Sequence, residues 1–375
     1  MTSKLSLTFL DQTESDDLAG VGVLVEGNKR SGTYLLRDDE TFQVQVRDDG
    51  LELMPIAEAL RRYPQIRERY YWGLIDADMD EVTASCAAET TPHGYFVRVH
   101  EGAKVQFPCQ SGLLLSRDEG VQKVHNIVVL EPRSELHLIT GCLTPSHTRT
   151  GRHLAVSEVW IGAEASLTNT MIHSWGPDVE VQPRAAIAVD DGGSYVSNYV
   201  SLHTAKRIST NPRTYLDGRD ATARYYSIVV GGDGAMIRSG GEVHLNGENS
   251  RAELIHRAVC TGGAIYQGGL LYGNAPCRAH IDCSGLLLDA GAEGFIESQP
   301  GLHARHPDAQ MSHEASIGKI SPEQVEYLQA RGLDEQEAIS LIIRGFLSTD
   351  IAGLGPELDA RIGELARLAM TGEGG

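Results

Sequence analysis

The chain lacks most of the features that make a protein's class obvious. It has six cysteines in 375 residues, and Cys86, Cys109, Cys142, Cys260, Cys277 and Cys283 are so dispersed that no two form a CxxC pair. That is neither a disulfide framework nor a zinc-finger spacing, and the expectation is free thiols in a reducing cytoplasm. Basic residues are scarce: 32 Lys and Arg against 51 Asp and Glu leave a formal net charge of -19. A surface that tracks nucleic-acid phosphates or an anionic membrane needs the opposite balance, so neither partner is expected. No apolar run approaches the roughly 18 residues of a membrane helix. The start, MTSKLSLTFLDQTESDD, runs into acids before any secretory cleavage pattern. Aromatic residues make up only 6%, which argues against the aromatic-lined cleft of a carbohydrate-active solenoid enzyme. The HExxH spacing of a zinc hydrolase is absent, and so is a Walker A loop, because Gly318-Lys319 is followed by Ile320.

What is present divides the chain into three. Residues 1–80 read as a small α+β cap, with strands around GVGVLVEG and TFQVQV and helical spacing at Ile56, Ala59 and Leu60. Residues 81–320 read as a mainly β core. Short pieces such as YFVRV, NIVVL, ELHLI and YYSIVV alternate with Gly, Asn, Asp and Ser turns, and no amphipathic helix interrupts them. A loose unit recurs, a turn residue followed by small and polar residues and then an apolar one. It appears as PRSEL, GAMI, NSRAEL and HPDAQM. Its spacing of roughly 15 residues toward the C-terminal end suggests a β-solenoid whose turns are of that length. A β-sandwich is the alternative.

Residues 321–375 switch to helical period. Ser321-Pro322-Glu323-Gln324 reads as a capping box opening a helix that stops at Gly332. A second helix starts at Asp334, with Glu337 three residues on, and runs through AISLIIRGFL. A third is expected over 357–370. The apolar stripe of the second is a candidate partner surface or a cap over the solenoid end.

The stretch 279–320 carries the chemistry. It begins near Cys283 and ends near His313-Glu314, and thiolate, imidazole and carboxylate are the groups that hold transition metals. Adjacent His313 and Glu314 on a strand face opposite sides. Cys283 and Glu314 are 31 positions apart, which at two 15-residue turns would put their strands about 10 Å apart. His280, His303 and His306 are candidate accessory ligands, and Cys86, Cys109, Cys260 and Cys277 read as buried packing residues.

These residues resemble a known family, the SufB/SufD proteins of the SUF iron–sulfur cluster assembly system. The resemblance is carried by AQMSHEASIGKISPEQVEYLQARGLDEQEAISLIIRGFL, with an HEA core, a GKI turn and an RG between two helices. ELMPIAEALRRYPQIRERYY, GYFVRVHEGAKVQFP, LITGCLTP around Cys142 and AHIDCSGLLL around Cys283 follow the family in the same order. The resemblance implies a right-handed parallel β-helix core and a C-terminal helical domain that docks a SufC-type ABC ATPase. It implies a scaffold that builds a nascent [4Fe-4S] cluster, not an enzyme, with a sulfur donor and apoprotein recipients as partners. A flavin reductant is compatible with it. Cys283 with both His313 and Glu314 resembles SufB, so a homodimer with two ATPases is expected. A heterodimer with a SufD-like paralogue, or a SufD-like role without a cluster, is the alternative. Cys142 and Trp175 match the proposed sulfur path of SufB. His173 stands where SufB has glutamine, and Arg184 lacks the neighbouring lysine.

Overall fold

The computed structural model describes residues 10–25, 29–203, 205–288 and 294–347. Two sheets wind about eight turns of a parallel β-helix. The first sheet runs, in spatial order, through Glu40–Val46, Gly32–Arg37, Cys109–Leu114, Glu135–Leu143, Ser166–Ser174, Ser194–Ser201, Thr222–Gly231, Ser250–Cys260, Cys277–Leu287 and Ala309–Lys319. Only its opening pair is antiparallel. The second sheet faces it and ends with Gly294–Ala304 paired in parallel to Gly263–Gly273.

The mainly β class and the solenoid expected from the sequence are what forms. The turn length differs. Ser250 pairs with Cys277 and Cys277 with Ala309, so one turn takes roughly thirty residues. The recurring sequence unit marks the start of strands, and GAMI enters the second sheet whereas NSRAEL and HPDAQM enter the first. An interval of 15 residues is therefore half a turn. Cys283 and Glu314 lie on neighbouring strands about 4.8 Å apart, not the 10 Å expected.

Strict alternation fills the interior. On Cys277–Leu287, residues Cys277, Ala279, Ile281 and Cys283 point into the central core, and Leu286 packs outward. Helices cover the outer faces where these are apolar. Val21 and Val23, just after helix Gln12–Gly20, press on Gly141, where a Cβ would meet Val21 at 2.4 Å. Helices Ile56–Arg62 and Pro64–Arg69 bury Ile56, Leu60 and Ile66 against Phe96, Ile127 and Val129 of the second sheet. Helix Glu81–Ala87 starts on Asp80, whose carboxylate accepts from the Val82 and Thr83 amides, and packs on Leu154, Val156 and Ala186.

At the C-terminal side, Pro322–Gln329 and Glu335–Leu347 are helical. Ser321 sits at the N-cap, but its side chain makes no capping bond, so the expected capping box does not form there. The box forms at the second helix: Asp334 accepts from the Glu337 amide at 2.8 Å and Glu337 from the Asp334 amide at 2.9 Å. Ile339, Ile343 and Leu347 of this helix join Val230, Val259 and Leu286 in one buried cluster. Much of the apolar stripe read as a partner surface or a cap thus packs on its own solenoid, while Leu341 stays 48% exposed. The expected third helix lies outside the described residues.

Candidate functional site

Register organises the interior into rows. One inward row on the first sheet reads Thr140, Met171, Tyr199, Ser227, His256, Cys283 and Ala315, each the pairing partner of the next. Cys142, His173 and Ser201 form the row beside it. A polar row inside an otherwise apolar solenoid is costly unless each member finds a partner, so its composition is informative.

Cys283 is 0% exposed. Burial pushes its thiol up to about 12, with the neighbouring Asp282 charge adding to the effect. It therefore rests as a neutral thiol, and metal capture has to release its proton. His313 pairs with Ile281 and so shares the inner face of Cys283, one row away. Glu314 pairs with Asp282 on the outer face. There Asp282 accepts from Arg257 at 2.7 Å and from Ser284 at 2.9 Å. The Arg257 guanidinium also lies 6.0 Å from the centre of the Phe346 ring on the last described helix.

The candidate accessory histidines lie elsewhere. His280 bonds Ser312 at 2.8 Å on the outer face. His303 stacks on Tyr272 with ring centres 4.7 Å apart, and His306 accepts from the Asp308 amide. Among the described residues, no group of three or more His, Cys, Asp or Glu side chains is assembled to hold a metal ion.

The residues expected on a sulfur path do gather. Cys142, His173 and Trp175 are all buried. His173 lies 5.5 Å from Trp175 ring to ring, and its Nδ1 is 3.1 Å from the Tyr199 hydroxyl. His153 also lies against Trp175, with ring centres 4.9 Å apart and the planes tilted by 36°. Burial lowers His153 to about 4 and His173, beside His153, to about 3, so both are neutral. Burial also raises the Cys142 thiol. A cavity of about 90 Å³ runs through the interior, lined among others by Cys142, His153, His173, Tyr199, Ser227 and His256. Cys142 and Cys283 stand five strand spacings apart, about 24 Å. No other cysteine lines the cavity.

Two further residues were not picked out from the sequence. His256 is the row neighbour of Cys283 and lines the cavity. Its signal was a histidine on the inward beat of Ala252, Leu254, His256, Ala258. Glu158 is wholly buried and accepts from His125 and from the Trp72, Leu74 and Ile75 amides.

A two-sheet parallel β-helix with buried thiols along its bore and a C-terminal helical region is the class of protein these features define. Residues 113–346 match the family described as SUF system FeS cluster assembly, SufBD core domain. Among similar proteins is an iron–sulfur cluster assembly SufBD family protein of Archaeoglobus fulgidus, 40% identical over 357 residues and covering 95% of both chains. Another of that description, from Methanothermobacter thermautotrophicus, is 37% identical over 95% of this chain and 88% of its own. One from Pyrococcus horikoshii is 32% identical over 86% of this chain and 72% of its own. The chain belongs to the SufBD family of the SUF iron–sulfur cluster assembly system.

Proposed function

We propose that this chain is a SufB-like scaffold on which a nascent iron–sulfur cluster is built at Cys283, working in the cytoplasm without catalytic chemistry of its own. The observation that carries the reading is the position of Cys283: an inward thiol on the last strand but one of its sheet, one strand beyond a cavity lined by Cys142 and His256. Thiolate is the preferred ligand of these clusters, and an incomplete thiolate set suits a cluster made for handover. His313, one row away, is the second ligand. Glu314, on the opposite face, serves the edge where a partner docks.

One chain supplies too few donors, so the ligand set is completed across an interface. The edge strand Ala309–Lys319 supports this, because nearly all its residues are exposed and, among the described residues, no further strand pairs beyond it. A second copy seated there makes a homodimer; a SufD-like paralogue is the other occupant. A SufC-type ATPase binds the C-terminal helices and supplies ATP hydrolysis. The contact from Phe346 through Arg257 to Asp282 ties those helices to the Cys283 strand.

Sulfur enters at Cys142, with His173 and Trp175 beside it. A gap of about 24 Å forbids direct persulfide exchange with Cys283, so sulfur crosses the cavity as hydrosulfide. Its release from a Cys142 persulfide consumes two electrons from a thiol reductant and returns the Cys142 thiol.

Anaerobic reconstitution with iron and sulfide, read by visible absorption and iron counting beside Cys283→Ser, tests the reading. A cluster band lost in the variant supports it. A band that survives moves the site, with Cys142 next, and no band even with the ATPase favours a SufD-like structural subunit.

A further inference from the structure

Two buried side chains, His256 beside Cys283 and Gln267 on the facing sheet, carry polar atoms without a partner. His256 is 3% exposed and neither ring nitrogen makes a hydrogen bond. Gln267 is also 3% exposed; its amide nitrogen donates to Ser298 at 2.9 Å, and its Oε1 has no partner. A buried acceptor without a partner has given up its hydrogen bond to water for nothing, and here two residues carry such atoms.

Register brings them together. Ser227 and Ser239 approach across the interior from opposite sheets, with hydroxyls 3.3 Å apart. One strand further along, the partner of Ser227 is His256 and the partner of Ser239 is Gln267. One strand beyond, these are followed by Cys283 and Ser298. Imidazole and amide carbonyl thus share one level of the bore, where the cavity ends at His256, and the Cys283 thiol stands one strand beyond, in register with His256. Sulfur, nitrogen and oxygen donors on three side chains form a set suited to a first-row divalent metal.

We propose that Cys283, His256 and Gln267 form an inner loading site for a single divalent iron, with His256 as its nitrogen ligand. The proposal rests on Cys283 being the cluster cysteine and deepens that reading. Iron held here by one thiolate, one imidazole and one carbonyl keeps open positions for incoming hydrosulfide. On binding, the Cys283 thiol loses one proton and a Cys283–iron bond forms, with no change of oxidation state.

The test is anaerobic titration of the full-length chain with Co²⁺ as the iron surrogate. Thiolate-to-cobalt charge transfer is followed beside pulsed EPR of the histidine nitrogen in the Fe-nitrosyl form. The expected result is a charge-transfer band whose affinity falls at least about tenfold in His256→Ala, with the histidine nitrogen coupling lost. His256→Asn, which keeps a polar group of smaller volume, serves if the alanine variant melts early. An unchanged affinity in either variant overturns the proposal, as does nitrogen coupling that persists without His256 but disappears in His313→Ala. In both cases the band still depends on Cys283, so the scaffold reading stands. A band that survives Cys283→Ser overturns that reading itself.

Discussion

His313 and Glu314, neighbours in sequence, stand on opposite faces of the edge strand: His313 is registered with the buried Ile281 and Glu314 with Asp282. The inner face is the one that carries Cys283. In the proposed scaffold the two residues therefore serve different places. His313→Ala should weaken the affinity of the chain for a reconstituted cluster about tenfold or more. Glu314→Gln should leave that affinity within about twofold, and its effect should appear only in dimer formation. Cluster retention beside sedimentation velocity of each variant separates the two. Equal losses of cluster affinity would contradict the division of faces.

The fold was legible because most inward positions of the strands are apolar and turn residues recur between them. The turn length was not, because the same sequence signal opens strands of both sheets and says nothing about which sheet follows. That one ambiguity misplaced Cys283 relative to residue 314. His256 and Gln267 were hidden for another reason. They belong to a level of the interior fixed by pairing across roughly thirty residues and across two sheets, and no local pattern encodes such a level. Glu158 was hidden likewise, since its partners Trp72, Leu74 and Ile75 lie more than eighty positions upstream.

Glu158 is the buried clasp between the solenoid and the segment after helix Pro64–Arg69. It accepts three backbone amides at 2.8, 2.6 and 3.1 Å and pairs with His125 at 2.8 Å. Glu158→Ala strands all four donors. The expected loss is about 3–5 kcal/mol, read as a fall in the urea midpoint, with Glu158→Gln losing less. A midpoint within error of the parent would show that the amides find other partners.

Acid should weaken the fold before any carboxylate titrates. His153 and His173 are held neutral, lowered from 6.5 to about 4 and about 3 by burial. Above pH 6.5 both folded and unfolded states are neutral at these sites, and no stability is lost. As pH falls below 6.5 the unfolded chain takes up protons that the folded one refuses. Each site then costs up to about 1.4 kcal/mol per pH unit until its folded value is reached. The melting temperature should drop between pH 7 and 5, and the slope should flatten in His153→Gln and His173→Gln. A slope unchanged in both variants would assign the acid sensitivity to other groups.

Filling the bore should separate sulfur delivery from iron binding. Ser227 lies in the cavity row between Tyr199 and His256. Ser227→Leu adds bulk there at a cost of about 1–3 kcal/mol, which leaves a folded chain. Loading of Cys283 with added iron should continue, because Ser227 lies two strands away on the cavity side, while cluster formation from sulfur donated at Cys142 should fall about tenfold or more. Equal rates from both sulfur sources would mean that sulfur reaches Cys283 by another way.

Cys283 should be nearly inert in the isolated chain. Its side chain is fully buried and its thiol is pushed up to about 12, so at pH 7 on the order of 1 thiol in 100,000 is ionised. Iodoacetamide, followed by peptide mass spectrometry, should label it far more slowly than the same cysteine in urea. In the proposed complex ATP would act on the C-terminal helices through the partner ATPase, and Phe346 reaches the Cys283 strand by way of Arg257 and Asp282. Adding ATP to the complex should therefore raise the labelling rate of Cys283, and Arg257→Gln should blunt the rise without changing ATP hydrolysis. Labelling that is the same with and without ATP would break the link between the helices and the site, and the cluster would then have to form by way of the open edge alone.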